Sequence, residues 1–318
     1  MGEKRRIKVV TDNAYYRKIT DKKRQAVIVR SEIERFTSQF FFDRGFVFVE
    51  PPVLHEAIAN KKREIYVPFH TGKYSLSSSN ALYMGMYASE FGNVFTMSKC
   101  FRDENDTLNH LVEFGILEVE MLTCTFDDML EIIKLYLQFI LEQLQSSPLI
   151  KPYAGLAKRI EQISCNFAPR IMTYDDFAGN LSGVEYVKDT DISDIDYLVT
   201  KQLNDVVIIV DYPTKFATWT AKKSKNGKSI AMNILLPESY GELCEGCERT
   251  NDVDLLQKKL RFAKADAIQW YVDSVKKIKA DRCGFGLGVD RLVRWIIGAD
   301  RISDTRFFPR IKREDENV

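Results

Sequence analysis

The chain has 318 residues, 45% hydrophobic and 29% charged, with 46 basic against 45 acidic side chains and a formal net charge of +1. That is the composition of a globular protein, long enough for one large domain or two small ones, and its charge balance argues mildly against a long nucleic acid as an obligate partner. No apolar run approaches the ~18 residues of a membrane span, and the charged start Met1-Gly2-Glu3-Lys4-Arg5-Arg6 leads into no apolar stretch of the secretory kind.

Residues 1–20 are polar and irregular, an N-terminal arm or short strand. From Asp21 to Asp43 the pattern is helical, with Val29, Ile33, Phe36 and Phe40 on one face and Gly45 placed to end it. Phe46 to Val49 reads as a buried strand, stopped by Pro51-Pro52 because neither can donate to a ladder. Asn80 to Phe91 is a second helix closed by Gly92. Val94 to Phe101 and Phe114 to Leu122 are strands of a hairpin, joined by the polar loop 103–109. Thr125 with Asp128 opens a capped helix running to about Gln145, with Met129, Ile132, Ile133, Leu137 and Ile140 on its apolar side.

Residues 146–200 have the look of an insertion of mixed short elements. Val206 to Val210 is a short strand ended by Asp211-Tyr212-Pro213, Ser224 to Lys228 an Asn-Gly turn, and Ala231 to Leu236 another strand. Asp252 to Ala280 reads as one long amphipathic helix, Cys283 to Gly288 as a glycine-rich turn or strand, and Val289 to Ile297 as a final helix. The pattern is that of one α+β domain around an antiparallel sheet. The six cysteines are scattered, which fits reduced thiols in the cytoplasm. Cys244-Glu245-Gly246-Cys247 has no second pair and no nearby histidine, so zinc is not expected. Lys61-Lys62-Arg63 and Lys222-Lys223-Ser224-Lys225 are local basic clusters that read as solvated loops.

The densest chemical signal is Phe101-Arg102-Asp103-Glu104 followed by His110-Leu111-Val112-Glu113-Phe114. An arginine can neutralise a phosphate, a carboxylate can accept from an adenine amine, a histidine can reach a phosphate tail, and an aromatic can cover a base. Each residue alone also has an ordinary reading: Arg102 and Glu104 as a surface pair on one strand face, His110 as a loop histidine, Phe114 as core. The glycines at 284, 286 and 288 lack the βαβ setting of a dinucleotide fold.

Taken together, these stretches resemble the class II aminoacyl-tRNA synthetases. The 21–43 helix with the strand and Pro52 is similar to their motif 1, the Arg102 to Phe114 segment to motif 2, and Gly284-Phe285-Gly286-Leu287-Gly288-Val289-Asp290-Arg291 to motif 3. Gly241-Glu242-Leu243 and Phe307-Phe308-Pro309-Arg310 resemble the aspartyl and asparaginyl branch. The resemblance covers about residues 22–310. It implies a six-stranded antiparallel sheet flanked by helices, a homodimer through residues 22–52, and ATP bound in a bent form with Mg2+. By this match Arg102 holds the α-phosphate and the attacking carboxylate, Glu104 reads the adenine amine, and Phe114 stacks on the ring. His110 and Arg291 hold the outer phosphates, with Arg291 also covering the adenine, Gly288 lies against the nucleotide, and Glu242 ligates magnesium. Arg102 and Arg291 carry the catalysis, and Arg249 grips the side-chain carboxylate or amide of the substrate.

This sequence departs from the branch at its amino-acid end. Asn60 stands near where a glutamate holds the substrate ammonium, and Ala81 replaces a glutamine two residues after Ser79, which is kept. Glu245 replaces a glycine, Asn233 an upstream magnesium-side aspartate, and Asn109 the arginine before the motif 2 histidine. Only about 20 residues precede the first helix, too few for an anticodon-binding barrel of roughly 70–100 residues. The resemblance is therefore to the truncated archaeal asparagine synthetase-related type. The expected activity is adenylation of an aspartate-like, amino-acid-sized carboxylate and transfer to ammonia or a small amine. Charging of tRNA or a carrier, and a non-catalytic ATP- or amino-acid-binding role, stay open as alternatives.

Overall fold

The computed structural model describes residues 19–56, 64–69, 72–104, 108–180, 199–263 and 269–310. Asn60, most of the N-terminal arm and part of the expected insertion lie outside these residues.

Helix α1 (Asp21–Phe42) starts at Thr20, whose hydroxyl accepts from the Lys23 amide at 3.3 Å. It ends at Gly45, whose φ of +74° is one that side chains resist. Its buried face carries Ala26, Val29, Ile33, Phe36 and Phe40, the spacing expected from the sequence. Strand β1 is shorter than expected, only Val47–Phe48, because it pairs on one side alone and the two prolines follow. Strands β2 (Leu54–Glu56), β3 (Tyr66–Phe69) and β4 (Gly72–Leu76) make a separate small sheet in the order β2-β4-β3. Then come α2 (Ala81–Phe91), β5 (Val94–Phe101), β6 (Glu113–Leu122) and α3 (Phe126–Ser146). At the start of α3 the Thr125 and Asp128 side chains each accept from the other's amide, the reciprocal cap foreseen in the sequence. Helix α4 (Ala154–Cys165), strand β7 (Arg170–Thr173) and helix α5 (Tyr174–Gly179) occupy the described part of the 146–200 stretch.

The remaining strands are β8 (Val207–Tyr212), β9 (Ser229–Leu236), β10 (Gly241–Glu248) and β11 (Arg282–Gly288). The eight-stranded sheet has the order β1-β5-β6-β11-β10-β9-β8-β7. Its six central strands are antiparallel, as expected. The two outer strands are not: β1 runs parallel to β5 and β7 parallel to β8, so the sheet is mixed rather than wholly antiparallel. Both edge strands are reached by crossovers through helices, which return a strand in the same direction. Strand β10 carries glutamates and cysteines in place of a β-branched run, and its strand character was not anticipated.

Of the long helix expected over 252–280, the described residues show α6 (Val253–Ala263) and α7 (Gln269–Val275), and residues 264–268 lie outside them. The chain has left the helix after Val275, where turn bonds from Lys277 and Ile278 lead back toward β11. Helix α8 (Val289–Ile297) stops at Gly298, which is left-handed at φ +62°. A main core fills the face of the sheet covered by α1, α3, α4 and α8. Smaller clusters under α5 and under α2, α6 and α7 cover parts of the other face.

Candidate active site

Side chains alternate across a strand, and this alternation builds the site. On β6, Leu117, Val119 and Met121 enter the main core, which sends Phe114, Ile116, Glu118 and Glu120 to the opposite face, where they line a cleft. On β11, Cys283, Phe285 and Leu287 enter the core, so the opposite face presents Gly284, Gly286 and Gly288. This row without side chains is the trough of the cleft. On β10 an irregularity between Glu242 and Cys244 resets the alternation. It places both Glu242 and Glu245 on the cleft face, with Cys247 and Arg249 following at two-residue steps. The cavity is about 210 Å³.

At one end lie the residues of the β5–β6 hairpin. Strand β5 stops at Phe101, so Arg102 and Glu104 stand in the loop rather than on one strand face. The Arg102 amide still bonds Val112 O at 3.0 Å, its Nε donates to Ser78 O at 3.2 Å, and its guanidinium lies 5.0 Å from the centre of the Phe114 ring. Arg291, from the first turn of α8, donates through Nη1 to Glu242 O at 2.7 Å, and Nη1 is 3.4 Å from Glu242 Oε1. Its Nη2 lies 3.3 Å from His110 Nε2. Asn233 Nδ2 donates to Glu242 Oε2 at 2.5 Å. These groups form an array of donors around the Glu242 carboxylate, suited to a polyanion.

The other end is a floor of buried charge. Arg249 donates through Nε to Glu120 Oε1 and Oε2 at 3.2 and 3.1 Å, and through Nη2 to Oε2 at 2.9 Å. Its Nη1 reaches Thr220 Oγ1 at 3.3 Å and Cys247 Sγ at 3.0 Å. Burial works against this guanidinium's charge, but Cys247 and Glu120 hold its pKa raised. Arg282 stands behind, its Nη1 4.0 Å from Glu120 Oε1. Along the wall Ser79 Oγ and the Asn80 amide donate to Glu118 Oε1 at 2.7 and 2.8 Å, and Asn80 Nδ2 donates to Oε2 at 2.9 Å. Burial raises the Glu118 pKa against these bonds. Burial also pushes the Cys100 thiol up to about 12, which removes it as a thiolate nucleophile at neutral pH.

Two supports hold the array. Asp290, next to Arg291, accepts from Arg306 Nε and Nη2 at 2.7 and 2.8 Å, from the Gly115 amide at 2.6 Å, from Thr305 Oγ1 at 3.0 Å and from Arg30 Nη2. Burial opposes its ionisation, yet Arg30 and Arg306 keep its pKa lowered. Asn109 Oδ1 accepts from Arg294, tying the residue before His110 to α8.

Of the residues singled out in the sequence, Ser79, Ala81, Arg102, Glu104, His110, Phe114, Glu242, Arg249, Gly288 and Arg291 all line this one cleft. Asn233 stands just behind, on Glu242. Arg249, expected to grip the side chain of the substrate, has its Nε and Nη2 on Glu120. Glu118, Glu120, Arg282 and Asp290 were missed as site residues. The acids at 118 and 120 could have been found from the period-two step they share with Phe114. The pairing of Arg282 with Glu120 has no sequence signal.

A model of the class II tRNA synthetases (D, K and N) matches residues 7–312. Among solved structures the chain is similar to asparaginyl-tRNA synthetase from Pyrococcus horikoshii complexed with asparaginyl-adenylate, at 24% identity and a TM-score of 0.84 over 94% of this chain and 70% of that one. It is also similar to asparaginyl-tRNA synthetase from Entamoeba histolytica, with 22% identity and a TM-score of 0.81 over 94% and 70%. Aspartyl tRNA synthetase from Entamoeba histolytica follows with 17% identity and a TM-score of 0.71 over 98% and 64%. With a mixed sheet matching these folds and a family match over nearly its whole length, the chain belongs to the class II tRNA synthetases (D, K and N).

Proposed function

We propose that this chain is an ATP-dependent ligase that adenylates an aspartate-like carboxylate and passes the acyl group to ammonia or a small amine. The observation that carries this reading is the convergence of Arg102, Glu104, His110, Phe114, Glu242 and Arg291 on the cleft whose floor is Arg249. A carboxylate oxygen attacks the α-phosphorus in line, and the bond to pyrophosphate breaks. The acceptor nitrogen then attacks the acyl carbon, loses a proton and releases AMP. Such a reaction needs alignment and charge neutralisation more than covalent help. Arg102 neutralises the α-phosphate and the attacking carboxylate. Glu104 accepts from the adenine amine, and Phe114 and Arg291 cover the ring. His110 and Arg291 hold the outer phosphates, and Gly288 lets the nucleotide close on the backbone.

The family works with magnesium, and the Glu242 carboxylate, on which Asn233 Nδ2 and Arg291 Nη1 converge, would be the oxygen ligand for such an ion. When bound, the ion neutralises triphosphate charge. At the amino-acid end Ser79 and Ala81 form the wall near the substrate amine, and Asn60 lies outside the described residues. Dimerisation through residues 22–52 is supported by Phe42, Val47 and Phe48, which stand 55%, 41% and 39% exposed around the edge strand β1. No described helix is long and apolar enough to cross a membrane, and six free cysteines accord with a cytoplasmic setting.

Transfer to tRNA or a carrier is a second reading, favoured by the fold likeness to asparaginyl-tRNA synthetases. A merely nucleotide-binding role fits less well, because Arg102 and Arg291 both stand in the cleft. The test is ATP–pyrophosphate exchange over the common amino acids and close analogues, repeated with ammonia and simple amines and then with total tRNA. Exchange with aspartate and an amide product support the first reading; charged tRNA at useful rates supports the second. Arg102→Ala should lower exchange by about 10²–10³-fold without changing thermal unfolding, and unchanged exchange would remove Arg102 from its role.

A further inference from the structure

Arg282 heads the fully buried side chains of the described residues by volume. Its Nη2 donates to Asn251 Oδ1 at 3.4 Å, while Nε and Nη1 make no hydrogen bond. Buried donors are nearly always satisfied, and leaving a guanidinium half-used is costly. The polar groups that face it are Glu120, Asn251 and Tyr271. Gly85 gives it room, since a Cβ there would lie 2.8 Å from Nη1.

On the other side of Glu120, the Nε–Nη2 fork of Arg249 is occupied. Nε and Nη2 are taken by the carboxylate, and Nη1 by Thr220 and Cys247. An anionic substrate end therefore cannot take the two-donor fork of Arg249 while Glu120 stays in place. Arg249 and Arg282 share the one carboxylate of Glu120, at 2.9 and 4.0 Å.

We infer that Arg282 is the second seat of Glu120. When the carboxylate that is not activated enters the fork of Arg249, Glu120 swings onto Nε and Nη1 of Arg282. The gap is 4.0 Å, so a movement of roughly 1 Å brings the groups into hydrogen-bond range. Gly284 makes room for the present seat: a Cβ there would lie 1.8 Å from Glu120 Oε2 and 2.5 Å from Arg249 Nη2. After the swing two carboxylates face two guanidinium groups. A substrate ending in an amide needs no swing, because Glu120 in its present seat can accept from the amide nitrogen. Arg282 is thus a positioning residue that favours a carboxylate over an amide at the far end of the substrate. This inference rests on the reading of the cleft as the site of an aspartate-like substrate.

The experiment is calorimetric binding of L-aspartate and L-asparagine to the full chain in the presence of a non-hydrolysable ATP analogue, alongside pyrophosphate exchange. Arg282→Gln removes the second seat, and Asn251→Asp fills it with a competing carboxylate while keeping the cation. Both should weaken aspartate at least about tenfold, leave asparagine and the nucleotide within about threefold, and raise KM for aspartate without lowering kcat. Aspartate affinity unchanged in both variants, or all three ligands weakened together, overturns the inference. Wild-type protein that binds aspartate without exchange overturns the adenylation reading alone, and the variants' binding then decides the swing. Wild-type protein that binds no dicarboxylate overturns both.

Discussion

Arg291 Nη2 and His110 Nε2 face each other at 3.3 Å across 181 residues of sequence. A guanidinium only donates, so the geometry makes Nε2 the acceptor and leaves the ring proton on Nδ1. The contact ties the loop before β6 to the first turn of α8, and so joins two stretches that the sequence presents as separate motifs. Replacing Arg291 by lysine keeps the charge but loses the planar fork that reaches Glu242 O and His110 together. Arg291→Lys should lower kcat/KM for ATP by about 10–100-fold in pyrophosphate exchange, with KM for the amino acid little changed; wild-type kinetics would mean the fork is not used.

Glu242 links this pair to Asn233. Glu242→Gln keeps the shape of the side chain and removes its charge, so a hard cation held there would lose its anionic ligand. The Mg2+ concentration for half-maximal exchange should rise about tenfold or more. An unchanged magnesium titration would place the ion elsewhere.

Asp290 binds α1, β6 and the segment after α8 into one unit through Arg30, Gly115 and Arg306. Asp290→Asn leaves two arginines facing a neutral group and should cost about 3–5 kcal/mol of stability at neutral pH. The sign with pH follows from its lowered pKa. The stabilisation is fully present above the ordinary aspartate value and is lost as pH falls through the lower folded value. Denaturant unfolding of the wild type should therefore weaken on acidification below about pH 4, and the variant should show a shallower dependence. Parallel curves would assign acid unfolding to other carboxylates.

Phe48 sits on the two-residue edge strand β1, with its ring 5.4 Å from that of Phe95. If this edge is the dimer contact, Phe48→Asp should shift the mass measured by light scattering from dimer to monomer at micromolar protein, with secondary structure unchanged. A dimer that survives the substitution would place the contact on another face.

The fold could be read in the sequence wherever local rules suffice. Thr125 and Asp128 announced their capping box, Val29 to Phe40 their helical face, and Gly45, Gly92 and Gly227 their positive φ angles. Most of the cleft residues at this end were also legible, because Arg102, Glu104, His110 and Phe114 lie within one hairpin. Strand β10 was not, since glutamates and cysteines conceal its alternation. Nor was the end of α7 at Val275, short of the expected Ala280. The parallel edges escaped too, because strand direction depends on the crossover rather than on the strand.

By itself, then, the sequence determined the set of residues proposed to meet ATP and the family they belong to. Their types and short spacings carry the chemistry. Only the tertiary structure decided what the floor of the cleft does. It sets β11 between β6 and β10, strands distant in sequence, and removes the side chain at Gly284. That places Glu120 between Arg249 and Arg282, 129 and 162 residues away. A buried charge is governed by the groups around it, and those are fixed by the order of strands in the sheet.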